Sequence, residues 1–192
     1  MALIRAFIAV ELPKDLKKEL AALEMLLKNN GPSVVKWVDP DSIHITLKFL
    51  GEISTDKVEK LIQAMDEAVK GTAPFQLEVR KLGAFPAPDR PQVIWVGVKG
   101  EVDKITRLQQ SIEASCERLG FSRENRAFTP HLTLGRVRDE ARPNERQRLG
   151  KQLMETSFTS LHNVEVTEIN LLKSQLTPAG AIHTIIGTVK LK

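Results

Sequence analysis

Two short stretches of this chain repeat one pattern at a wide spacing, and that repeat limits the fold more than any other feature. The first is Ser42-Ile43-His44-Ile45-Thr46-Leu47-Lys48-Phe49-Leu50-Gly51, the second Thr129-Pro130-His131-Leu132-Thr133-Leu134-Gly135. Both carry His-aliphatic-Thr-Leu, and each is followed by a helical run, as though two strand-and-helix lobes of similar build had been joined. Along a strand, side chains at i and i+2 share a face. His44 and Thr46 therefore point to one side while Ile45 and Leu47 point to the other, and His131 and Thr133 stand likewise against Leu132 and Leu134. Each strand can bury its aliphatic side in its own lobe and offer a histidine and a hydroxyl opposite. Lobes packed about a pseudo-twofold axis would bring the two polar pairs into one cleft.

The rest of the sequence supplies the scaffold. An apolar run over 3–12 ends at Pro13 and reads as a buried strand leading into a helix, whose stripe of Leu16, Leu20, Leu23 and Leu27 stops at Asn29-Asn30-Gly31-Pro32. An extended piece over 34–38, a turn at 39–42 and a strand over 43–50 closed by Gly51 follow. Ser54 or Thr55 caps a second helix that reaches Gly71. Strands over 75–85 and 93–98 flank the proline-rich loop 86–91, and a helix over 102–119 ends at Gly120. After an arginine-rich link come a strand over 129–136, a short helix over 145–154 and strands over 157–161, 164–176 and 182–191. Strands and helices alternate without the strict period of a doubly wound sheet, which predicts an α+β fold with largely antiparallel sheets. No Gly-x-Gly-x-x-Gly and no Gly-x-x-x-x-Gly-Lys-Ser/Thr occurs, so the usual arguments for dinucleotide or nucleoside triphosphate binding are absent.

With 192 residues, 42% of them apolar and 27% charged, the chain has ordinary globular proportions. Cys116 is the single cysteine, so no internal disulfide is possible, and its place on an apolar helix face makes it a small core residue. The opening apolar run is interrupted by Arg5 and Glu11, too short for a secretory core or a membrane span, and a cytosolic protein without a membrane partner is expected. The formal charge of +4 favours a polyanion only weakly, but Arg118, Arg123, Arg126, Arg136, Arg138, Arg142, Arg146 and Arg148 crowd one stretch. They form either a solvated face or a phosphate-attracting rim.

Two imidazoles facing one phosphate make an acid/base pair, because histidine titrates near ~6.5 and one ring can be neutral while the other holds a proton. The hydroxyls of Thr46 and Thr133 can hydrogen-bond nonbridging oxygens as charge grows on them. Such an arrangement calls for no metal. A dihistidine metal site would need a further His, Cys or carboxylate, which neither motif supplies. The plainer reading of each copy alone is an ordinary strand histidine; the matched pair is what argues against it. His162 and His183 lack such company and read as structural or surface residues, and Trp37 and Trp95 as packing.

At this level the sequence resembles the two-histidine phosphoesterases, defined by paired His-x-Thr-x motifs, and within them the bacterial and archaeal RNA 2',3'-cyclic phosphodiesterases, long called 2'-5' RNA ligases. The likeness includes Arg5-Ala6-Phe7-Ile8-Ala9-Val10-Glu11-Leu12-Pro13, the Trp37-Val38 before the first motif and Lys48-Phe49-Leu50-Gly51 after it, and spans nearly the whole chain. It implies one bilobal unit over 1–192 with two antiparallel sheets lining a central cleft. It also implies hydrolysis of an RNA 2',3'-cyclic phosphate to a 2'-phosphate end by a monomer that needs neither metal nor cofactor. The resemblance makes His44 the donor to the departing 3' oxygen and His131 the acceptor from water, with Thr46 and Thr133 holding the phosphate. Arg136 and Phe7 are implied at the nucleobase, although a core role for Phe7 stands beside that reading. Joining of ends by the reverse reaction, and RNA binding without catalysis, remain as alternatives.

Overall fold

The computed structural model describes residues 2–178 and 180–192. Nine strands and four helices are found among them: β1 (Leu3–Val10), α1 (Lys14–Asn30), β2 (Val35–Trp37), β3 (Ile45–Ser54), α2 (Val58–Val69), β4 (Phe75–Phe85), β5 (Val93–Gly100), α3 (Val102–Glu117), β6 (His131–Val137), α4 (Pro143–Glu155), β7 (Val164–Val166), β8 (Glu168–Thr177) and β9 (Gly180–Lys190). The strands make two antiparallel sheets, ordered β3-β1-β8-β9 and β2-β6-β5-β4-β7. This is the α+β architecture that the sequence predicts.

The duplication is visible in the order of elements. The series β1-α1-β3-α2 is repeated as β5-α3-β6-α4, and in each sheet the motif strand lies beside the strand that opens its own repeat. Leu16, Leu20, Leu23 and Leu27 bury one stripe of α1, and Ile105, Leu108, Ile112 and Cys116 one stripe of α3. Helices α2 and α3 pack together, and β3 and β6 lie alongside one another. The two halves therefore meet mainly through α2 and α3, with α3 also against β3 and the motif strands approaching one another. Strand β2 reinforces this join: Trp37 pairs with Gly135, the Val38 N–H donates to the Leu134 carbonyl at 2.8 Å, and the chain then turns directly into the first motif. None of the four helices is long and apolar enough to cross a membrane.

Three local expectations are corrected. Gly51 does not close the strand of the first motif; with φ at 71° it accommodates a bulge, where Ala6 pairs with Gly51 but Phe7 with Phe49, and β3 continues to Ser54. Residues 157–161 form no strand, only an isolated bridge between Arg80 and Thr159, because β4 is bulged between Val79 and Leu82 and offers no continuous edge. The run 164–176 is two strands in different sheets: β7 pairs with β4, and after Thr167 the chain crosses over so that β8 pairs with β1 and β9.

Candidate active site

His44 stands immediately before β3, at the exit of a 3-10 turn over Pro40–Ser42 that the Asp39 carboxylate caps by accepting from the Asp41 N–H at 3.0 Å. The turn places the Ser42 carbonyl 2.7 Å from His44 Nδ1. A carbonyl only accepts, so Nδ1 carries the proton of this bond and Nε2 is left to exchange one with a substrate. His131 opens β6 with the same construction, its Nδ1 donating to the Thr129 carbonyl, again 2.7 Å away and again two residues back.

The likeness extends into the strands. In β3 the register passes from Ala9–Thr46 to Ile8–Lys48, leaving Leu47 as the extra residue of a bulge; in β6 it passes from Trp95–Thr133 to Ile94–Gly135, leaving Leu134 extra. Both motif leucines are thus the bulged residue, and both bury against the core while Thr46 and Thr133 stay half-buried on the other face. Beyond the bulge, Phe49 and Arg136 occupy the same place in the two copies, third after the threonine, and both are exposed. Lys36 lies directly across from Arg136 and shares its face.

The surroundings of the two rings differ. Phe7 stacks on His44 with centroids 4.7 Å apart and planes 27° apart, whereas Phe85 meets His131 edge-on at 5.1 Å and 88°. Trp95 tilts against Phe85 at 5.2 Å and lies where Gly83 leaves room, so the packing role read from its sequence setting holds. Burial pushes the His44 imidazole down to about 4, helped by neighbouring His183 and Lys17 and opposed by the bond to Ser42.

Phe7 is at the site, but it is only 4% exposed and its ring is spent on His44, so its place is that of a support and not of a platform open to a base. Phe49, 73% exposed with its ring 6.2 Å from that of Phe7, is the aromatic with a free face. Its signal in the sequence is its offset from Thr46, the same as that of Arg136 from Thr133. His183 is a larger departure: far from being isolated, it touches both His44 and Phe7. A cavity of about 330 Å³ beside it is lined by Glu11, Asp39, Asp41, Ser42 and Ile185 among others. A second, of about 540 Å³, lies between the β2–β6 edge and α4 with Arg138 and Arg142 on its walls and holds none of the motif residues. Within the arginine-rich stretch Arg146 braces the loops by donating to the carbonyls of Pro91, Arg138, Asp139 and Ala141, Arg123 and Arg126 form exposed pairs with Glu117 at 2.8 Å and Glu124 at 3.5 Å, and Arg136, Arg138, Arg142 and Arg148 stay exposed. Cys116 is buried as expected, and burial pushes its thiol up to about 11.

Known proteins are similar to this chain in sequence and in fold. The sequence model of the family described as LigT like Phosphoesterase matches residues 10–95 and again 96–183, so the family's unit occurs twice in succession. A protein of Methanothermobacter thermautotrophicus named RNA 2',3'-cyclic phosphodiesterase is 33% identical over 188 residues, covering 98% of this chain and 99% of that protein. One of Aeropyrum pernix with the same name is 36% identical over 171 residues, 89% and 94% of the two chains. Among solved structures, a Thermus thermophilus protein superposes with a TM-score of 0.80 at 24% identity over 98% of both chains. Escherichia coli LigT complexed with 3'-AMP superposes with a TM-score of 0.77 at 23% identity over 100% of this chain and 99% of that one. With the duplicated unit, the full-length relatives and the shared fold in agreement, this chain belongs to the LigT-like phosphoesterase family.

Proposed function

We propose that the chain opens RNA 2',3'-cyclic phosphate ends by hydrolysis, leaving a 2'-phosphate and a free 3' hydroxyl, with His44 and His131 as the acid/base pair and no metal in the reaction. The observation that carries this reading is the paired construction, in which each imidazole donates Nδ1–H to the carbonyl two residues back at 2.7 Å. Two rings held in one tautomer on adjoining strands each keep Nε2 for the substrate. His131 takes a proton from the attacking water, the new P–O bond forms in line, and His44 gives its proton to the departing 3' oxygen. Thr46 and Thr133 donate to nonbridging oxygens as their charge grows. The names of the full-length relatives support the same substrate class.

The reading is tested on a defined oligoribonucleotide ending in a 2',3'-cyclic phosphate, in buffer with EDTA. A 2'-phosphate product supports it. A 3'-phosphate product reverses the leaving group and rejects it, as does loss of turnover in EDTA. Joined chains appearing when 5'-hydroxyl RNA is added would show the same pair working in the reverse direction.

In this reading Phe49 and Arg136 hold the terminal base between them, an aromatic face on one side and a guanidinium plane on the other. Phe49→Ala and Arg136→Ala are each expected to raise KM for the RNA end roughly tenfold while changing kcat little, since base stacking binds ground state and transition state alike. A fall in kcat at unchanged KM would place these side chains elsewhere.

The buried His44 also sets a pH dependence. Because the proton donor works only in its protonated form, a ring that takes its proton near 4 gives kcat/KM an alkaline limb there, with activity lost as the pH rises through that value. Once the phosphodiester anion is bound beside it the imidazolium is favoured, so the alkaline limb of kcat is expected at higher pH than that of kcat/KM. Limbs that coincide would separate His44 from the bound phosphate. Because the unfolded chain takes up this proton near ~6.5, the contribution of His44 to stability is complete above that pH and is lost as the pH falls to about 4. Dichroism at each pH separates unfolding from titration of the site.

A further inference from the structure

The first-motif imidazole has a neighbour that belongs to neither motif. His183 lies in β9 opposite Ser174 of β8, and its ring meets His44 at 5.2 Å and 83° and Phe7 at 4.9 Å and 79°. With Phe7 stacked on His44, the three rings touch pairwise, and His44 is held between a face and an edge. Ser42, whose carbonyl takes the His44 Nδ1–H, sends its hydroxyl to the Ala181 carbonyl at 3.3 Å. The turn that aims His44 is thereby fastened to the strand that carries His183.

His183 is built to stay neutral. Its Nδ1 is buried with no hydrogen-bond partner among the described residues, so a proton placed there would be a buried donor without an acceptor. Burial and the Lys17 ammonium hold the ring below the usual histidine range, against the pull of Glu11. The charged groups around the three rings are Glu11 after β1, Lys17 of α1, and Asp39 and Asp41 of the turn. Lys17 reaches Glu11 at 3.2 Å and the Asp41 carbonyl at 2.7 Å, so Glu11 offsets part of the positive charge that bears on both rings.

We propose that His183 is a positioning residue for His44: a third imidazole, neutral near pH 7 and charged only in acid, that with Phe7 fixes the His44 ring with Nε2 toward the substrate. The proposal rests on the reading of His44 as an acid/base group. Its test therefore pairs kinetics on the cyclic-phosphate oligoribonucleotide with NMR titration of the histidine Cε1–H signals in the unliganded protein. His183→Phe keeps an aromatic wedge without a titratable nitrogen, His183→Gln keeps polarity without a ring, and His183→Ala removes both. Loss of the wedge in His183→Ala or His183→Gln is expected to lower kcat about tenfold with KM within about threefold, and His183→Phe to recover most of that loss. In the wild-type protein His44 should titrate in two steps, because a neighbouring imidazolium opposes its own protonation, and in His183→Gln it should titrate in one step at higher pH. An unchanged His44 curve in His183→Gln, or full kcat in His183→Ala, overturns the proposal. Should the wild-type protein show no turnover of the oligoribonucleotide, the functional reading fails while the titration still decides whether His183 governs His44. Should His183→Ala fail to fold, as a thermal melt would reveal, His183→Gln and His183→Phe give the same decision.

Discussion

His44→Asn or His131→Asn is expected to lower kcat for opening an RNA 2',3'-cyclic phosphate by about 10²- to 10⁴-fold, the usual worth of a placed acid or base. Asparagine is the informative replacement because its amide N–H can still donate to the Ser42 or Thr129 carbonyl that each Nδ1 now serves. What is removed is Nε2, the atom assigned to the proton transfer. Both rings are half-buried at strand entrances and not in the main apolar core, so the variants should melt close to the parent. The double variant should cost little more than either single one. An acid and a base that act in one displacement fail together, and what survives is the binding and charge stabilisation from Thr46 and Thr133. A protein that only holds RNA by these histidines would instead lose affinity with no turnover to lose. A drop of less than about tenfold for either substitution, with the fold intact, would remove that ring from the chemistry.

Local pattern made much of this site legible. The strand period assigned His44, Thr46, His131 and Thr133 to one side of their strands, and the helical stripes of α1 and α3 are buried as their spacing predicts. Features that depend on distant parts of the chain were not legible. Nothing near Thr167 marks the point where the chain leaves one sheet for the other, because Val164 to Val166 and the residues after Glu168 have the same strand-forming character and differ only in which edge receives them. His183 has no motif of its own, and its contact with His44 exists only because β9 pairs with β8 and β8 with β1. Phe7 and Phe49 look alike as strand aromatics, and the bulge at Leu50 and the packing of His44 decide that the first is covered and the second open. The bulge at Leu47 is equally silent in the sequence, yet it turns the next residue, Lys48, inward.

That inward lysine carries the largest stability effect expected outside the apolar core. Lys48 Nζ lies 2.6 Å from Glu113 Oε2, with the two side chains 3% and 9% exposed, and it also donates to the Ser122 carbonyl at 2.9 Å. The pair spans 65 positions of sequence and joins the first-motif strand to α3 of the other half. Lys48→Ala leaves the Glu113 carboxylate buried with only the Gln109 amide at 3.2 Å and the Glu124 N–H at 3.4 Å. Breaking a buried pair from one side costs about 3–5 kcal/mol, because the remaining charge is uncompensated. For a chain of this length each kcal/mol lowers Tm by about 2–4 °C, which places the expected drop between about 6 and 20 °C. Lys48→Met combined with Glu113→Leu should recover part of it, since no charge is then stranded. Full recovery is not expected: the Gln109 amide and the Ser122 carbonyl lose their partners, at about 1–3 kcal/mol for each polar group left buried and unsatisfied. Thr46 and Phe49 flank the bulge that the pair anchors, so Lys48→Ala measured well below its Tm should also bind the RNA end less tightly. A Tm unchanged in Lys48→Ala would mean that water reaches Glu113, and that the two halves are held by their apolar contacts alone.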